Sequence, residues 1–284
     1  MAIAIERGKR GLYETITLAD DATGARVEIA PERGGMVTAW RARGRDCLFL
    51  DESTFLDPTK SVRGGIPVLF PIAGKLPGDR AVVDGRACAL AQHGFARREA
   101  WRVVDAGTSV TLGLASTPAT REAFPFEFDL RVSYALRGDS LIATATIANP
   151  GDVPLPLHLG FHPYLRCADA SKRAARIEVN AEQALDNRTG TVAPLGAIDL
   201  TAAELDLHAL DPRGGSARLR ADGASVRLDY GLFRHVVIWT LGGRDFVCLE
   251  PWTAPPGALA TGQGLMRVSR GETRRLTFSL TLEA

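Results

Sequence analysis

The stretch Phe126-Glu-Phe-Asp-Leu-Arg-Val-Ser-Tyr-Ala-Leu136 has large apolar residues at its even positions and polar or small residues at its odd positions. Side chains on a β-strand point to opposite faces in turn, so this period of two predicts a strand with one buried face. The C-terminal stretch Leu276-Thr-Phe-Ser-Leu-Thr-Leu282 alternates equally well. Both stretches therefore predict strands that cover a core.

Turn residues separate the alternating segments. Asp84-Gly85 and Asp222-Gly223 lie between such segments, as hairpin turns do, because glycine tolerates the positive φ that these turns require. Gly138-Asp139 follows the first stretch in a similar way. Turn signals recur about every 8–12 residues across most of the chain, which is typical of an antiparallel sandwich or barrel.

Signals for helices and for domain boundaries are scarce. Thr201–Leu210 is predicted to form a short helix, since Thr201 suits an N-cap and Glu204 completes a capping-box spacing. No repeat, low-complexity tract or proline-rich linker divides the 284 residues. We therefore predict a single all-β domain over residues 1–284, a large antiparallel β-sandwich.

Composition argues against several classes of partner. Lysine plus arginine number 34 and aspartate plus glutamate 33, so nothing in the charge balance suggests nucleic acid or a membrane surface. No stretch approaches the roughly 20 apolar residues of a membrane span, and the N-terminus has no signal-peptide core. The cysteines form no CxxC pair, so we expect free, mostly buried thiols and a cytoplasmic location. They are Cys47, Cys88, Cys167 and Cys248.

Three polar segments interrupt this regular background. They are Ser61-Val-Arg-Gly-Gly-Ile-Pro-Val-Leu-Phe-Pro71 with Gln92-His-Gly-Phe-Ala-Arg97, then Leu157-His-Leu-Gly-Phe-His-Pro-Tyr-Leu165, then Val247-Cys-Leu-Glu-Pro-Trp-Thr-Ala-Pro-Pro-Gly257. Glu250 ends an apolar strand just before Pro251 and Trp252, where a carboxylate is costly without partners or a task. A structural glutamate bonded to loop amides fits this position as well as a functional one does. His93 is open to the same two interpretations, because histidines often fix loops.

The second segment carries two histidines. On a strand, His158, Gly160 and His162 share one face, and the glycine leaves room for a ligand to approach. The two histidines also have the i, i+4 spacing of zinc-binding helices. However, Pro154 and Pro156 argue against a helix, and no glutamate adjoins the first histidine. We therefore expect no metal site here.

Taken in order, these segments resemble the aldose 1-epimerase family, with its galactose-mutarotase-like fold. The resemblance rests on Arg-Gly-Gly-Ile-Pro…Phe-Pro, His-Gly-Phe-Ala-Arg, Gly-Phe-His-Pro-Tyr and Glu-Pro-Trp-Thr-Ala-Pro-Pro-Gly-Ala-Leu, which together span positions 61–259. Thr261-Gly-Gln-Gly-Leu and Gly271-Glu272 extend it over nearly the whole chain. The family implies a large antiparallel supersandwich with a concave sugar-binding face.

The resemblance implies an isomerase that interconverts the α and β anomers of a hexose. His162 would be its general acid, Glu250 its general base, and His93 would bind the sugar and help to polarise the ring oxygen. Opening a hemiacetal needs only an acid and a base that face one pyranose, so no metal or other cofactor is expected. A glutamate beside His162 would favour the imidazolium.

The resemblance also implies residues that bind substrate. Arg63 matches an arginine used on sugar hydroxyls or, in the hexose-6-phosphate branch, near the phosphate. A sugar-binding aspartate is expected between the His-Pro and Glu-Pro motifs. Asp206 is the best candidate, and Asp199 and Asp211 compete with it. The expected partner is a small sugar bound by a monomer or a homodimer.

The sequence also fits two alternative functions. A hexose-6-phosphate 1-epimerase would find further positive charge at Lys75, Arg80 and Arg97, and arginine suits phosphate through bidentate hydrogen bonds. A non-catalytic carbohydrate-binding or regulatory protein on the same fold would have no need for both His162 and Glu250. A glycoside hydrolase is disfavoured because that chemistry usually uses two carboxylates, and one stands out here.

Overall fold

A computed structural model of the chain describes residues 3–283. The strands, in chain order, are β1 (Ile3–Arg10), β2 (Tyr13–Asp20), β3 (Ala25–Ala30), β4 (Met36–Ala42), β5 (Arg45–Asp46), β6 (Val68–Leu69), β7 (Arg80–Val83), β8 (Arg86–Ala89), β9 (Arg102–Ala106), β10 (Ser109–Ala115), β11 (Asp129–Arg137), β12 (Ser140–Ala148), β13 (Leu155–Leu157), β14 (Gly160–Phe161), β15 (Tyr164–Arg166), β16 (Arg176–Asn180), β17 (Gln183–Asp186), β18 (Thr191–Pro194), β19 (Glu204–Leu210), β20 (Arg213–Ala221), β21 (Ala224–Asp229), β22 (His235–Leu241), β23 (Phe246–Trp252), β24 (Met266–Val268) and β25 (Thr273–Glu283). Short helices connect some of them: α1 (Glu52–Leu56), α2 (Pro118–Ala123), α3 (Ala258–Thr261), and the 3₁₀ turns Pro77–Asp79, Ala96–Arg98 and Asp169–Ser171.

The two alternating stretches lie at the centre of an eight-stranded antiparallel sheet, the back sheet. Its order is β16-β20-β21-β25-β12-β11-β10-β9. Ala143 of β12 pairs with Tyr134 of β11 on one side and with Phe278 of β25 on the other. Every large apolar residue at the even positions of both stretches is buried. The period-two pattern thus predicted the buried face correctly.

Hairpin turns lie where the Asp-Gly pairs predicted them. Asp84-Gly85 joins β7 to β8, with φ of 50° and 74°. Asp222-Gly223 joins β20 to β21, with φ of 53° and 70°. Gly138 has a φ of 56° in the turn between β11 and β12. Glycine suits these positions because it has no Cβ to oppose a left-handed backbone.

A second eight-stranded antiparallel sheet, the cleft sheet, faces the back sheet across the core. Its order is β18-β17-β19-β22-β23-β14-β6, and β15 also pairs with β23. The ring of Phe161 in β14 lies 4.7 Å from the ring of Phe278 in β25. A five-stranded sheet, β1 to β5, covers β10 and β11, where the Tyr134 hydroxyl donates to the Gly35 carbonyl at 2.9 Å. The architecture is the predicted large antiparallel β-sandwich.

Strand β23 carries polar groups on one face of the cleft sheet. Val247 and Leu249 belong to the main hydrophobic core. The alternate residues Cys248, Glu250 and Trp252 point the other way, because successive strand residues face opposite sides. They are nevertheless buried, since neighbouring loops cover that face.

The helix predicted over Thr201–Leu210 is wrong. The Asp199 carboxylate accepts hydrogen bonds from the Thr201 amide at 2.9 Å and the Thr201 hydroxyl at 2.6 Å, so Asp199 fixes a turn there. Residues 204–210 then form β19 between β17 and β22. Pairing with distant strands outweighs the local capping-box spacing. It provides hydrogen-bond partners for the backbone N–H and C=O groups, and both Leu205 and His208 are buried in the resulting sheet.

The cysteine prediction is confirmed, since all four are free and buried. Within residues 3–283, no helix has both the length and the hydrophobicity needed to span a bilayer.

Candidate active site

The five residues singled out from the sequence line one cleft of ≈ 780 Å³ on the cleft sheet. Asp206 comes from β19 and Glu250 from β23, whereas loops supply the others, Arg63, His93 and His162. These residues are far apart in the chain. They converge because β19, β22 and β23 are adjacent strands of one sheet. The loops that precede β6, β9 and β15 fold over these strands. A cleft of this volume is in the range usual for small-molecule sites.

Glu250 and His162 form a buried pair at the base of the cleft. His162 Nε2 lies 3.3 Å from Glu250 Oε1, and Trp252 Nε1 donates to Glu250 Oε2 at 3.1 Å. The His162 ring stacks on Tyr164 at 4.6 Å between centroids. The His162 amide donates to the Pro67 carbonyl at 3.0 Å, so both backbone and ring are held in place.

Burial dominates the ionisation of this pair. It raises the pKa of Glu250 well above its ordinary range, and the nearby Asp206 charge adds to the rise. Burial also lowers the pKa of His162 to about 3, with the positive charge of Arg97 acting in the same direction. Burial therefore opposes the imidazolium that an adjacent glutamate is expected to favour. Two groups withdrawn from water both favour their neutral forms, so Glu250 favours the carboxylic acid and His162 the neutral imidazole.

His93 presents a neutral N–H to the cleft. Its Nδ1 accepts the Gly74 amide proton at 3.0 Å, and its own amide donates to the Gly74 carbonyl at 2.8 Å. An imidazole that accepts at Nδ1 carries its proton on Nε2. Burial lowers the pKa of His93 well below its ordinary value, so the ring is a neutral donor. The ring centroid lies 5.7 Å from that of His162.

Asp206 is the only one of the three candidate aspartates that lines the cleft. It pairs with Trp239 of β22, and its Oδ1 accepts a hydrogen bond from Asn187 Nδ2 at 2.7 Å. Burial raises the pKa of Asp206. Asp199 is committed to its turn, and Asp211 lies in the turn after β19 with a φ of 44°.

Trp239 and Arg63 form one wall of the cleft. The Arg63 guanidinium lies 5.8 Å from the centroid of the Trp239 ring, in the range of a cation–π contact. Trp239 Nε1 donates to Glu204 Oε1 at 3.2 Å at the rim. The wall thus combines an aromatic surface with an exposed positive charge.

Further positive charges surround the cleft. Of the three cations considered for a phosphate, Lys75 and Arg97 line it and Arg80 does not. Arg97 donates to the Gln92 carbonyl at 2.9 Å, while its Nε is buried without a hydrogen-bond partner. Across residues 3–283, no carboxylate lies within 4.0 Å of the Arg97 guanidinium. Burial lowers the pKa of Arg97 to about 10.

His158 does not share the cleft with His162, contrary to the strand prediction. It is fully buried, and its ring lies 5.5 Å from that of Trp252. His208 also lies 5.5 Å from Trp252, and 4.7 Å from His235. Both ring nitrogens of His208 are buried without hydrogen-bond partners, whereas a backbone group of Ala254 lies beside the His158 ring. These imidazoles form a layer that supports Trp252 rather than a wall of the cleft.

Several cleft residues had no sequence signal. Asn187 and Trp239 lie outside every motif, and they become neighbours of Asp206 only through the pairing of β17, β19 and β22. Tyr164 belongs to the Gly-Phe-His-Pro-Tyr motif but was not singled out. Its position beside His162, two residues away in the sequence, was the available clue.

Comparison with known proteins identifies related chains. A sequence profile described as aldose 1-epimerase matches residues 14–281. A candidate glucose-6-phosphate 1-epimerase from Cenchrus ciliaris is 27% identical over 77% of this chain and 65% of that protein.

Solved structures show the same fold. The Slr1438 protein from Synechocystis sp. PCC 6803 is 38% identical, with a TM-score of 0.92 over 97% of this chain and 96% of that one. A galactose mutarotase-like protein from Lactobacillus casei ATCC 334 is 24% identical, with a TM-score of 0.80 over 95% and 100% of the two chains.

Proposed function

The chain belongs to the aldose 1-epimerase family, and we propose that it interconverts the α and β anomers of a hexose by general acid–base catalysis. The observation that carries this proposal is the buried pair of His162 and Glu250, 3.3 Å apart at the base of a sugar-sized cleft. A group that gives a proton and a group that takes one, side by side, are what ring opening requires.

The pair holds one transferable proton. Before a sugar binds, this proton lies on Glu250, because burial disfavours both charges. A sugar hydroxyl that donates to Glu250 stabilises the carboxylate, and the proton then passes from Glu250 to the adjacent His162 Nε2. Glu250 takes the proton of the C1 hydroxyl while His162 protonates the ring oxygen. The ring opens, C1–C2 rotates, and the reverse transfers close the ring on the other face.

The remaining cleft residues orient the sugar. His93 donates its Nε2 proton toward the ring oxygen, which eases cleavage of the C1–O bond without a charged imidazole. Asp206 and Asn187 accept and donate hydrogen bonds at the sugar hydroxyls. Trp239 offers an aromatic surface for a pyranose face, and Arg63 reaches hydroxyls from the rim. No step needs a metal or a nucleotide.

A hexose 6-phosphate is the second candidate substrate. Arg97 faces the cleft with a buried Nε that lacks a partner, and Arg63 and Lys75 line the same space. An anionic phosphoryl group would satisfy Arg97 by charge-assisted hydrogen bonds. The similarity to the candidate glucose-6-phosphate 1-epimerase supports the same choice.

Exchange spectroscopy by NMR on glucose, galactose and glucose 6-phosphate tests the proposal. We expect the protein to accelerate exchange between the anomeric signals of at least one of these sugars. If the phosphate is a recognition element, Arg97→Gln lowers kcat/KM for glucose 6-phosphate by at least about tenfold and leaves glucose less affected. Equal losses on both sugars would count against phosphate recognition by Arg97.

A non-catalytic sugar-binding protein gives a different result in the same experiment. The anomeric signals of the sugar would broaden or shift as it binds to such a protein. The rate of exchange between the two anomers would be the same as in buffer alone. That outcome, with folded protein, would refute the enzymatic proposal.

A further inference from the structure

A third metal-ligating side chain adjoins the acid–base pair. Cys248 lies two residues before Glu250 on β23, so both side chains are on the same face of the strand. One ligand atom each from His162, Cys248 and Glu250 lies within 4.8 Å of the others, and all three residues are buried. This set could not be predicted from the sequence, because His162 lies about 90 residues before the Cys248-Leu-Glu250 run.

The spacing of these donors fits a small tetrahedral cation. Zinc bonds of about 2.0–2.1 Å to nitrogen, 2.0–2.2 Å to oxygen and 2.3 Å to sulfur imply ligand–ligand separations of about 3.3–3.6 Å. The observed 3.3 Å between His162 Nε2 and Glu250 Oε1 equals such an edge. It is longer than the roughly 2.7–2.9 Å of a charge-assisted hydrogen bond. The Cys248 sulfur lies within 4.8 Å of the other two ligand atoms, so a shift on the order of 1 Å completes the triangle.

The chemistry of the donor set selects a thiophilic transition metal. Imidazole, thiolate and carboxylate together suit Zn²⁺ and related ions, whereas Mg²⁺ and Ca²⁺ prefer oxygen ligands alone. Three protein ligands leave a fourth position for water, and two of the three, His162 and Glu250, line the cleft. Arg63 and Arg97 face the same cleft and oppose a cation, which makes the thiolate the decisive ligand.

We propose that His162, Cys248 and Glu250 form a binding site for Zn²⁺ or a similar thiophilic divalent cation, and that this cation inhibits the enzyme. Binding releases to water the thiol proton of Cys248 and the proton shared by His162 and Glu250, as bonds form from the metal to sulfur, nitrogen and oxygen. The imidazole lone pair and the carboxylate are then unavailable for proton transfer. The inhibition rests on the proposed function, whereas the binding does not.

Titration of tag-free protein with Co²⁺ and with Cd²⁺ tests the site directly. A thiolate ligand gives a sulfur-to-metal charge-transfer absorption, so the readout does not depend on activity. We expect this absorption to saturate at one equivalent in the wild type and in Cys167→Ser, which changes another fully buried free cysteine. It should be absent in Cys248→Ser, and His162→Gln should weaken metal affinity by at least about tenfold.

The opposite results overturn the proposal. They are a band of equal strength in Cys248→Ser, or no uptake by a folded wild-type protein. A circular dichroism spectrum of each variant checks its fold, and His162→Gln remains informative if Cys248→Ser does not fold.

Inhibition of anomer exchange by Zn²⁺, reversed by EDTA, tests the second half of the proposal. Exchange activity that Zn²⁺ leaves unchanged would overturn the inhibition. Active protein that takes up no metal refutes the site and leaves the proposed function standing. Protein that binds metal through Cys248 but never accelerates exchange supports the site and counts against the proposed function.

Discussion

Two glutamates in the cleft accept an indole N–H, but only one of them faces an imidazole. Glu250 is bonded to Trp252 and lies beside His162, whereas Glu204 is bonded to Trp239 at the exposed rim. Burial raises the pKa of Glu250 well above its ordinary range, and no comparable environment surrounds Glu204. The proposed difference in role between these two glutamates therefore rests on their surroundings, not on the residue type.

His93→Asn tests the role of the neutral imidazole. Asparagine tolerates the left-handed backbone that His93 adopts at φ 66°, so the loop keeps its shape while the ring is lost. We expect kcat/KM to fall about tenfold or more, the equivalent of about 1.4 kcal/mol for one hydrogen bond to the sugar. Steady-state kinetics measure this, with thermal melting as the control for folding. Unchanged kcat/KM would remove His93 from the substrate contacts.

The sequence predicted the cleft residues that belong to motifs, but not the residues that contact them in the folded chain. Arg63, His93, His162 and Glu250 stand in recognisable motifs, and all four line the cleft. Cys248 lies inside one of these segments, yet nothing in the sequence places a sulfur within reach of an imidazole from another loop. The ionisation of the pair was also not predictable, because it depends on burial that only the folded chain produces.

At the level of the strand, Gly160 is the point where β14 meets β23. It pairs with Trp252, and a Cβ at this position would lie 2.8 Å from Trp252 Cδ1 and 3.0 Å from the Ala73 Cβ. The glycine therefore permits the close approach of two strands, and it does not adopt a positive φ. The hydrogen bond from Trp252 to Glu250 links this contact to the buried pair of Glu250 and His162.

Gly160→Ala should impair activity more than folding. The added methyl displaces Trp252, which shifts Glu250, while overpacking costs about 1–3 kcal/mol of the free energy of unfolding. We expect kcat/KM to drop at least about tenfold in a protein that still melts cooperatively. Gly107→Ala is a matched control, because the nearest atom to its Cβ is Asp105 Oδ2 at 3.9 Å. Equal activity in both variants would show that Gly160 does not position the site.

The strand predictions were accurate where a strand has one buried face. They were incomplete where both faces are buried, and they failed where the strand is determined by distant pairing partners. The Phe126–Leu136 and Leu276–Leu282 patterns identify buried faces because each of those strands has one face on the core and the other face away from it. Strand β23 has both faces buried, so its sequence does not alternate between apolar and polar residues. Cys248 therefore cannot be distinguished from a core residue by its sequence position. Strand β19 was mistaken for a helix because its pairing partners lie about 20 and 30 residues away, beyond any local pattern.

On the scale of the whole molecule, all five histidines are buried around Trp252 and Glu250. Burial lowers the pKa of His158 to about 3 and that of His208 well below its ordinary value. In the unfolded chain these two histidines have a pKa of about 6.5. Between that pH and about 3, the unfolded state binds more protons than the folded state, so the free energy of unfolding decreases as the pH falls.

Denaturation by urea at about pH 7, 6 and 5 measures this loss. Each fully buried histidine contributes up to about 1.4 kcal/mol per pH unit to the slope. His208→Gln removes one such group, so its free energy of unfolding should depend less steeply on pH than that of the wild type. Titration of the carboxylates is common to both proteins and cancels in the comparison. Identical slopes would mean that His208 is not held neutral by the fold.

The most direct test of the account compares anomer exchange in the wild type, Glu250→Gln and Glu204→Gln, on the sugar that the wild type turns over fastest. Both substitutions keep an oxygen that can accept the neighbouring indole N–H and remove one ionisable carboxyl. We predict that Glu250→Gln loses about 10²–10⁴-fold in rate, the usual contribution of one proton-transfer group, and that Glu204→Gln loses less than about tenfold. Exchange in Glu250→Gln at the rate of Glu204→Gln, with both proteins folded, would contradict the account.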